Sequence, residues 1–233
     1  MNVTDELKKL ADGSYRDFHL RLIPGVDEDR VLGVRVPAVR ALAKRMSDEE
    51  KRDFLHSLPH RFYDEDMLHS VILSGVRDFD TAAAGVKEFL PFVDNWAVCD
   101  ALAPKAFGRA GESDRVRGFA YECMDSPHLY TARFGVNCMR MYFLDEAFTP
   151  DVTERVAKVS GGYYLDMAAA WFFCDALIKR WDETLPYFER GALAREVHIK
   201  AVRKAAESFR VPEERKRLLR ALTCPPVFNP ERA

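Results

Sequence analysis

The 233-residue chain has no CxxC pair, no zinc-type spacing of Cys and His, and no apolar run long enough to span a bilayer. Each absence excludes a class of protein. Five cysteines, at positions 99, 123, 138, 174 and 224, lie scattered with apolar flanks. An odd, unpaired set of this kind points to reduced, buried thiols in a cytoplasmic protein rather than to a disulfide framework. The six histidines show no ligand spacing, so neither a metal nor another cofactor is expected. The longest apolar stretch, "MAAAWFFCDALI" at 167–178, suits a buried helix and not a membrane span. The opening "MNVTDELKK" lacks the apolar core of a secretory signal. Positive charge is not in excess either. Lys and Arg number 35 against 37 Asp and Glu, and the pI is about 6.3, so any nucleic-acid role needs a local basic face. Strand-type alternation is not sustained anywhere over five residues.

What the chain does have is helical periodicity. Leu7, Leu10/Ala11, Ser14/Tyr15, Phe18 and Leu22 recur at three to four residues and predict one N-terminal helix, with Thr4 as its N-cap. "LIPGVDEDRVLGVRVP" (22–37) reads as a loop, and Pro37 as the start of the next helix. Ser47 and Glu50 make a capping box. Further helices are expected at 64–79, 80–93, 95–107, 112–124, 128–143, 149–158, 163–180, 182–190, 194–209 and 212–222. About twelve short helices joined by short loops predict an all-α chain, and pairs of about forty residues fall in the range of HEAT or armadillo repeats. An irregular bundle is the rival. Trp96, Arg133 and Trp171 stand 37 and 38 residues apart, and a solenoid would project them on one face.

"FVDNWAVCD" (92–100) carries the most chemistry. Trp96 and Asp100 are four apart and share a helix face. Asp94 reads as an N-cap. Pro104 clashes with the carbonyl four residues back, at Asp100, and predicts a kink there. A carboxylate on an apolar face needs a partner or a function. Structural roles compete at each position: Trp96 and Trp171 as core aromatics, Asp100 as a solvated side chain, Arg133 as a surface residue. The basic run Arg195, Lys200, Arg203 and Lys204, with Arg215, Lys216, Arg217 and Arg220 beyond, is either a phosphate-binding surface or a solvated helix face.

Taken together, "LGVRVPAVRALAK" (32–44), "NWAVCDALAP", "LYTARFGV", "GYYLDMAAAWFFCDAL" and "HIKAVRKAAESFRV" (198–211) resemble the DNA alkylation repair proteins of the AlkD type, HEAT-like-repeat alkylpurine DNA glycosylases. The strongest match is Trp, three residues, Asp, three residues, Pro. The resemblance covers most of the chain. It implies a single HEAT-like-repeat domain over 1–233, a C-shaped α-solenoid with double-stranded DNA in its concave face. It implies that Trp96 and Trp171 pack against the deoxyribose and backbone of the lesion, that Asp100 stabilises the sugar cation, and that Arg133 holds a phosphate. Lys200, Arg203 and Lys204 would add DNA contacts. A cytoplasmic monomer without metal or membrane contact is the expectation. The segment from Leu22 to Leu32 departs from the pattern, because the family's glycosylases carry an additional helical stretch there. Two functions therefore compete: a monofunctional glycosylase for N3- and N7-alkylated purines, and a catalytically inactive HEAT-like-repeat protein that binds DNA structures or a protein partner.

Overall fold

The computed structural model describes residues 1–223; Cys224 lies outside them. The chain divides into two compact units, Met1–Glu112 and a second beginning at Ser113. Among the described residues there are fourteen α-helices and no strand, only an isolated bridge between Ala11 and Val34. The described chain is therefore all-α. None of these helices is long and apolar enough to cross a membrane.

The first unit holds α1 (Val3–Lys9), α2 (Gly13–Leu20), α3 (Val36–Arg45), α4 (Asp48–Leu55), α5 (Tyr63–Gly75), α6 (Phe79–Phe89) and α7 (Trp96–Ala101). The expected single N-terminal helix is two. The backbone N–H of Asp12 turns away to the Gly33 carbonyl at 3.1 Å, and the Asp12 carboxylate caps α2 by accepting from Tyr15 N at 3.0 Å. Gly33 is held at φ +88°, and a Cβ there would stand 2.6 Å from the Arg16 Cβ and 2.7 Å from the Asp12 carbonyl, so only glycine fits the crossing. Asn2, not Thr4, caps α1; Thr4 lies inside the helix. The capping box of Ser47 and Glu50 is formed at the start of α4.

Helix α5 is the hub, with α1, α3, α4, α6 and α7 all packed against it. Its first turn carries three buried carboxylates. A helix N-terminus favours negative charge, and each group also has its own donors. Asp64 accepts from the backbone N–H groups of Leu32 and Val34, both at 2.7 Å. Glu65 accepts from Thr4 Oγ1 and from the backbone of Arg61 and Phe62. Asp66 accepts from Arg30 at 3.2 Å.

In the second unit, α8 (Ser113–Met124), α9 (Leu129–Tyr142), α10 (Pro150–Ala157), α11 (Tyr163–Lys179), α12 (Trp181–Glu189), α13 (Arg195–Glu207) and α14 (Glu213–Ala221) follow in order. Helices α9, α11 and α13 lie side by side, with α8 against α9 and α12 against α11. They run in the same direction. Tyr130 meets Tyr164 and Arg140 meets Asp175 between α9 and α11; Tyr163 meets Lys200 and Trp171 meets Lys204 between α11 and α13. Partners therefore advance together along each pair. Helix α11 is apolar nearly all round, from Leu165 to Leu177, because it is flanked on both sides. Gly135 lets α8 and α9 approach closely: a Cβ there would sit 2.5 Å from the Ala120 carbonyl.

Candidate functional site

Helix α7 is six residues long, with Trp96 first and Asp100 fifth. The helix expected to run to 107 with a kink ends at Ala101 instead. Proline disfavours the helical conformation in the residue before it and clashes with the carbonyl four back, and here the chain leaves the helix at Leu102 (ψ 97°) and continues extended through Pro104 (ψ 124°). The freed backbone groups are taken by α5: Ser74 Oγ accepts from Ala103 N at 2.8 Å and approaches the Ala101 carbonyl at 3.2 Å, while Ser70 Oγ donates to the Val98 carbonyl at 3.0 Å. At the other end Asn95, not Asp94, is the N-cap, its Oδ1 accepting from Val98 N at 2.9 Å. Asp94 instead pairs with Arg30.

Trp96 and Asp100 are both partly exposed, whereas Ala97, Val98 and Cys99 between them are buried. The two side chains therefore emerge one helical turn apart on the face that α7 leaves open. The Trp96 indole N–H donates to the Leu22 carbonyl at 2.8 Å, which fixes the ring's rotation against the 21–35 loop.

The other candidate residues lie in the second unit. Arg133, on α9, is 3 % exposed and donates from Nη1 to the Tyr164 carbonyl at 2.5 Å. It ties α9 to the first turn of α11. It does not stand beside Trp171: partners on α9 and α11 are 31 to 35 residues apart, so Arg140 faces the Trp171 ring, at 6.0 Å. Trp171 is 40 % exposed, with the Lys204 ammonium 3.8 Å from its ring centroid. Partial burial lowers the Lys204 pKa. Lys200 stands 5.8 Å from the ring of Tyr163 and pairs with Glu196 at 2.7 Å. Arg203 points outward and pairs with Glu207 at 3.1 Å. Farther along, Asp175 accepts from Arg210 at 2.6 Å and stands 3.7 Å from Arg140.

The surface of α11 and α13 thus alternates aromatic rings and cations: Tyr163 with Lys200, Trp171 with Lys204 and Arg140. Such rings can stack on sugars or bases while the cations meet phosphates. Sequence reasoning missed Tyr163 and Arg140; the register between α9 and α11 is 31 to 35 residues, not 38, and it is this that brings Arg140 to Trp171. It also missed the pair of half-buried His60 and buried His69, whose ring nitrogens are 2.9 Å apart. Among the described residues, no cluster of three or more His, Cys, Asp or Glu could hold a metal ion. The described cysteines, Cys99, Cys123, Cys138 and Cys174, are buried and form no disulfide with one another, and burial pushes the Cys174 thiol up to about 11.

No curated protein and no solved structure matches the chain. Residues 3–160, which hold α7, its supports on α5 and the loop, and Arg133 on α9, match the family described as DNA alkylation repair enzyme. The chain therefore belongs to the DNA alkylation repair enzyme family, and its role lies in DNA repair.

Proposed function

We propose that the protein is a monofunctional DNA glycosylase that releases N3- and N7-alkylated purines, built from HEAT-like helical repeats. The observation that carries the reading is the pair Trp96 and Asp100, presented together on the open face of a short helix held at both ends. An alkylated purine carries a formal positive charge, so its bond to the sugar is already weakened. That bond breaks with its electron pair going to the base, which leaves neutral. The sugar is left with oxocarbenium character. The Asp100 carboxylate stabilises that charge where it develops, and the Trp96 ring forms an apolar, electron-rich wall beside it. Water adds its oxygen to C1′, and its surplus proton passes to Asp100 and on to solvent. The lesion supplies much of the driving force, so no deep base-recognition pocket is required, in contrast to base-flipping enzymes.

Double-stranded DNA is held by Trp171, Lys200 and Lys204, with Arg203 at the margin; Arg133 serves from beneath, by fixing the first turn of α11. The parallel courses of α9, α11 and α13, and of α5 and α7, where Ser70 meets Val98 and Ser74 meets Ala101, support the repeat reading.

Single-turnover release of 7-methylguanine from methylated duplex DNA tests the proposal. Asp100→Asn keeps the shape and removes the charge, and it should slow release by about 10²–10³. If the wild type releases no base at any enzyme concentration, the second reading takes its place: a non-catalytic repeat protein that binds DNA structures or a protein partner. That reading draws on the 22–32 segment, where the only helix is one 3₁₀ turn, Glu28–Arg30.

A further inference from the structure

The segment between α2 and α3 makes a set of contacts that no local role explains. Arg30 reaches out of it in two directions. Its Nη2 donates to Asp66 in the buried first turn of α5, at 3.2 Å, and its Nη1 donates to Oδ2 of Asp94. The other oxygen of Asp94 accepts from Asn95 Nδ2 at 2.9 Å, and Asn95 Oδ1 then caps α7 at Val98 N. Asn95 is buried. Its amide can present Oδ1 to the helix only while Nδ2 faces Asp94, so the orientation of the cap depends on Asp94 and the orientation of Asp94 depends on Arg30. The same segment accepts the Trp96 indole N–H at the Leu22 carbonyl. It is itself pinned to α5 at Leu32 and Val34 through Asp64.

We propose that Arg30 is a positioning residue for the Trp96 and Asp100 pair: a clamp that ties α7 to α5 through Asp94 and Asn95 and so sets where the carboxylate stands. A six-residue helix is far below the length that is stable alone. Its direction is therefore set by its two ends. Ser70 and Ser74 fix the C-terminal end, and the Arg30 chain fixes the N-terminal end. A guanidinium is needed because two separate carboxyl groups must be met by two N–H groups at fixed angles; a lysine ammonium is a single point charge without that fork. Burial and the neighbouring Asp94 charge push the Asp66 carboxyl up to about 8 in spite of Arg30. Asp94 is the partner that leads on to α7, through Asn95.

The inference rests on the glycosylase reading for its rate, and its test separates the two. Base release under single turnover, DNA affinity and the Trp96 indole N–H resonance are measured for the wild type, Arg30→Ala, Arg30→Lys and Arg35→Ala. The indole signal is assigned among the three tryptophans by Trp96→Phe. Arg35 closes the same segment and pairs with Asp12 ahead of α2, so Arg35→Ala serves as the control. Arg30→Ala should slow release about 10²-fold, as expected for misplacing a reacting group by about 1 Å, with DNA affinity unchanged. Its Trp96 indole signal should shift and exchange faster with solvent. Arg30→Lys should stay closer to the alanine variant, and Arg35→Ala should match the wild type. An unshifted Trp96 signal in Arg30→Ala overturns the clamp whatever the rate does. A shifted signal with unchanged release overturns its role in positioning. A rate that recovers fully on cooling, in step with the thermal melt, reduces Arg30 to a stability role and also overturns it. If the wild type releases no base, the glycosylase reading fails, and the Trp96 signal alone decides whether the clamp exists.

Discussion

The indole N–H of Trp96 donates to the backbone carbonyl of Leu22, 74 residues earlier, at 2.8 Å. Trp96→Phe keeps an aromatic wall and removes this bond. It should cost about 1 kcal/mol of stability, the usual net worth of one hydrogen bond, and it should slow base release because the ring is free to rotate. Urea unfolding and single-turnover release in parallel check both parts. Trp96→Ala should be slower still.

The cations of α13 should be felt in the salt dependence of DNA binding. Lys200→Ala with Lys204→Ala removes two phosphate contacts and should reduce the slope of log affinity against log salt by about 1.8, at about 0.9 per phosphate. Arg133→Ala should leave that slope unchanged and lower the melting temperature instead, because its side chain is buried against the Tyr164 carbonyl. A slope that falls for Arg133→Ala and not for the lysine pair would reverse the assignment.

Gly135 offers a test confined to packing. An alanine Cβ would meet the Ala120 carbonyl at 2.5 Å, Met124 Cγ at 2.6 Å and Met124 N at 2.9 Å. Two of these are backbone atoms of α8, so the helices must separate. Gly135→Ala should destabilise by about 1–3 kcal/mol, read from the midpoint of denaturant unfolding.

His69 predicts a pH dependence. It is buried, stacked on Phe89 at 3.9 Å and bonded to His60. Burial, and then His60, push it down to about 3. The unfolded chain binds the proton near pH 6.5, whereas the folded chain refuses it until about 3. Its contribution is therefore fully present above pH 6.5 and is lost as pH falls below that value, at up to about 1.4 kcal/mol per pH unit. Asp66, pushed up to about 8, acts with the opposite sign: its contribution is present below the ordinary carboxylate range and is lost as pH rises through 8. The difference between wild type and His69→Gln isolates the histidine. Between pH 6.5 and 4.5 the wild type should lose stability more steeply than the variant.

The parts of this molecule that sequence alone revealed are those set by neighbours in the chain. Ser47 and Glu50 cap α4 because both partners lie within one turn. The apolar stripes placed α8 to α14 nearly to the residue, and "WAVCD" put Trp96 and Asp100 on one face. Pro104 was visible as a breaker, but whether it bends a helix or ends it depends on Ser74, which takes the freed N–H of Ala103. Asp94 and Asn95 are both good caps by composition; Arg30 decides between them by drawing Asp94 away. That pairing spans 64 residues, and the Asp66 contact spans 36. No periodicity encodes either one. The same holds for Trp171, whose neighbours Arg140 and Lys204 follow from the register between helices and not from spacing along one of them.

The pinned segment between α2 and α3 also shows where this chain can grow. Leu22 is tied to Trp96, Arg30 to Asp66 and Asp94, Leu32 and Val34 to Asp64, and Ile23 and Val26 are buried. Between the buried Ile23 and Val26, Pro24 and Gly25 stand exposed, with Gly25 at φ +99° and open space where a side chain would be. Added residues at that tip would leave every anchor in register. Pro24–Gly25 is thus a natural insertion point: a lineage could graft or shed a whole helical excursion there, and an experimenter a reporter tag, while the lever that aims Asp100 stays where it is.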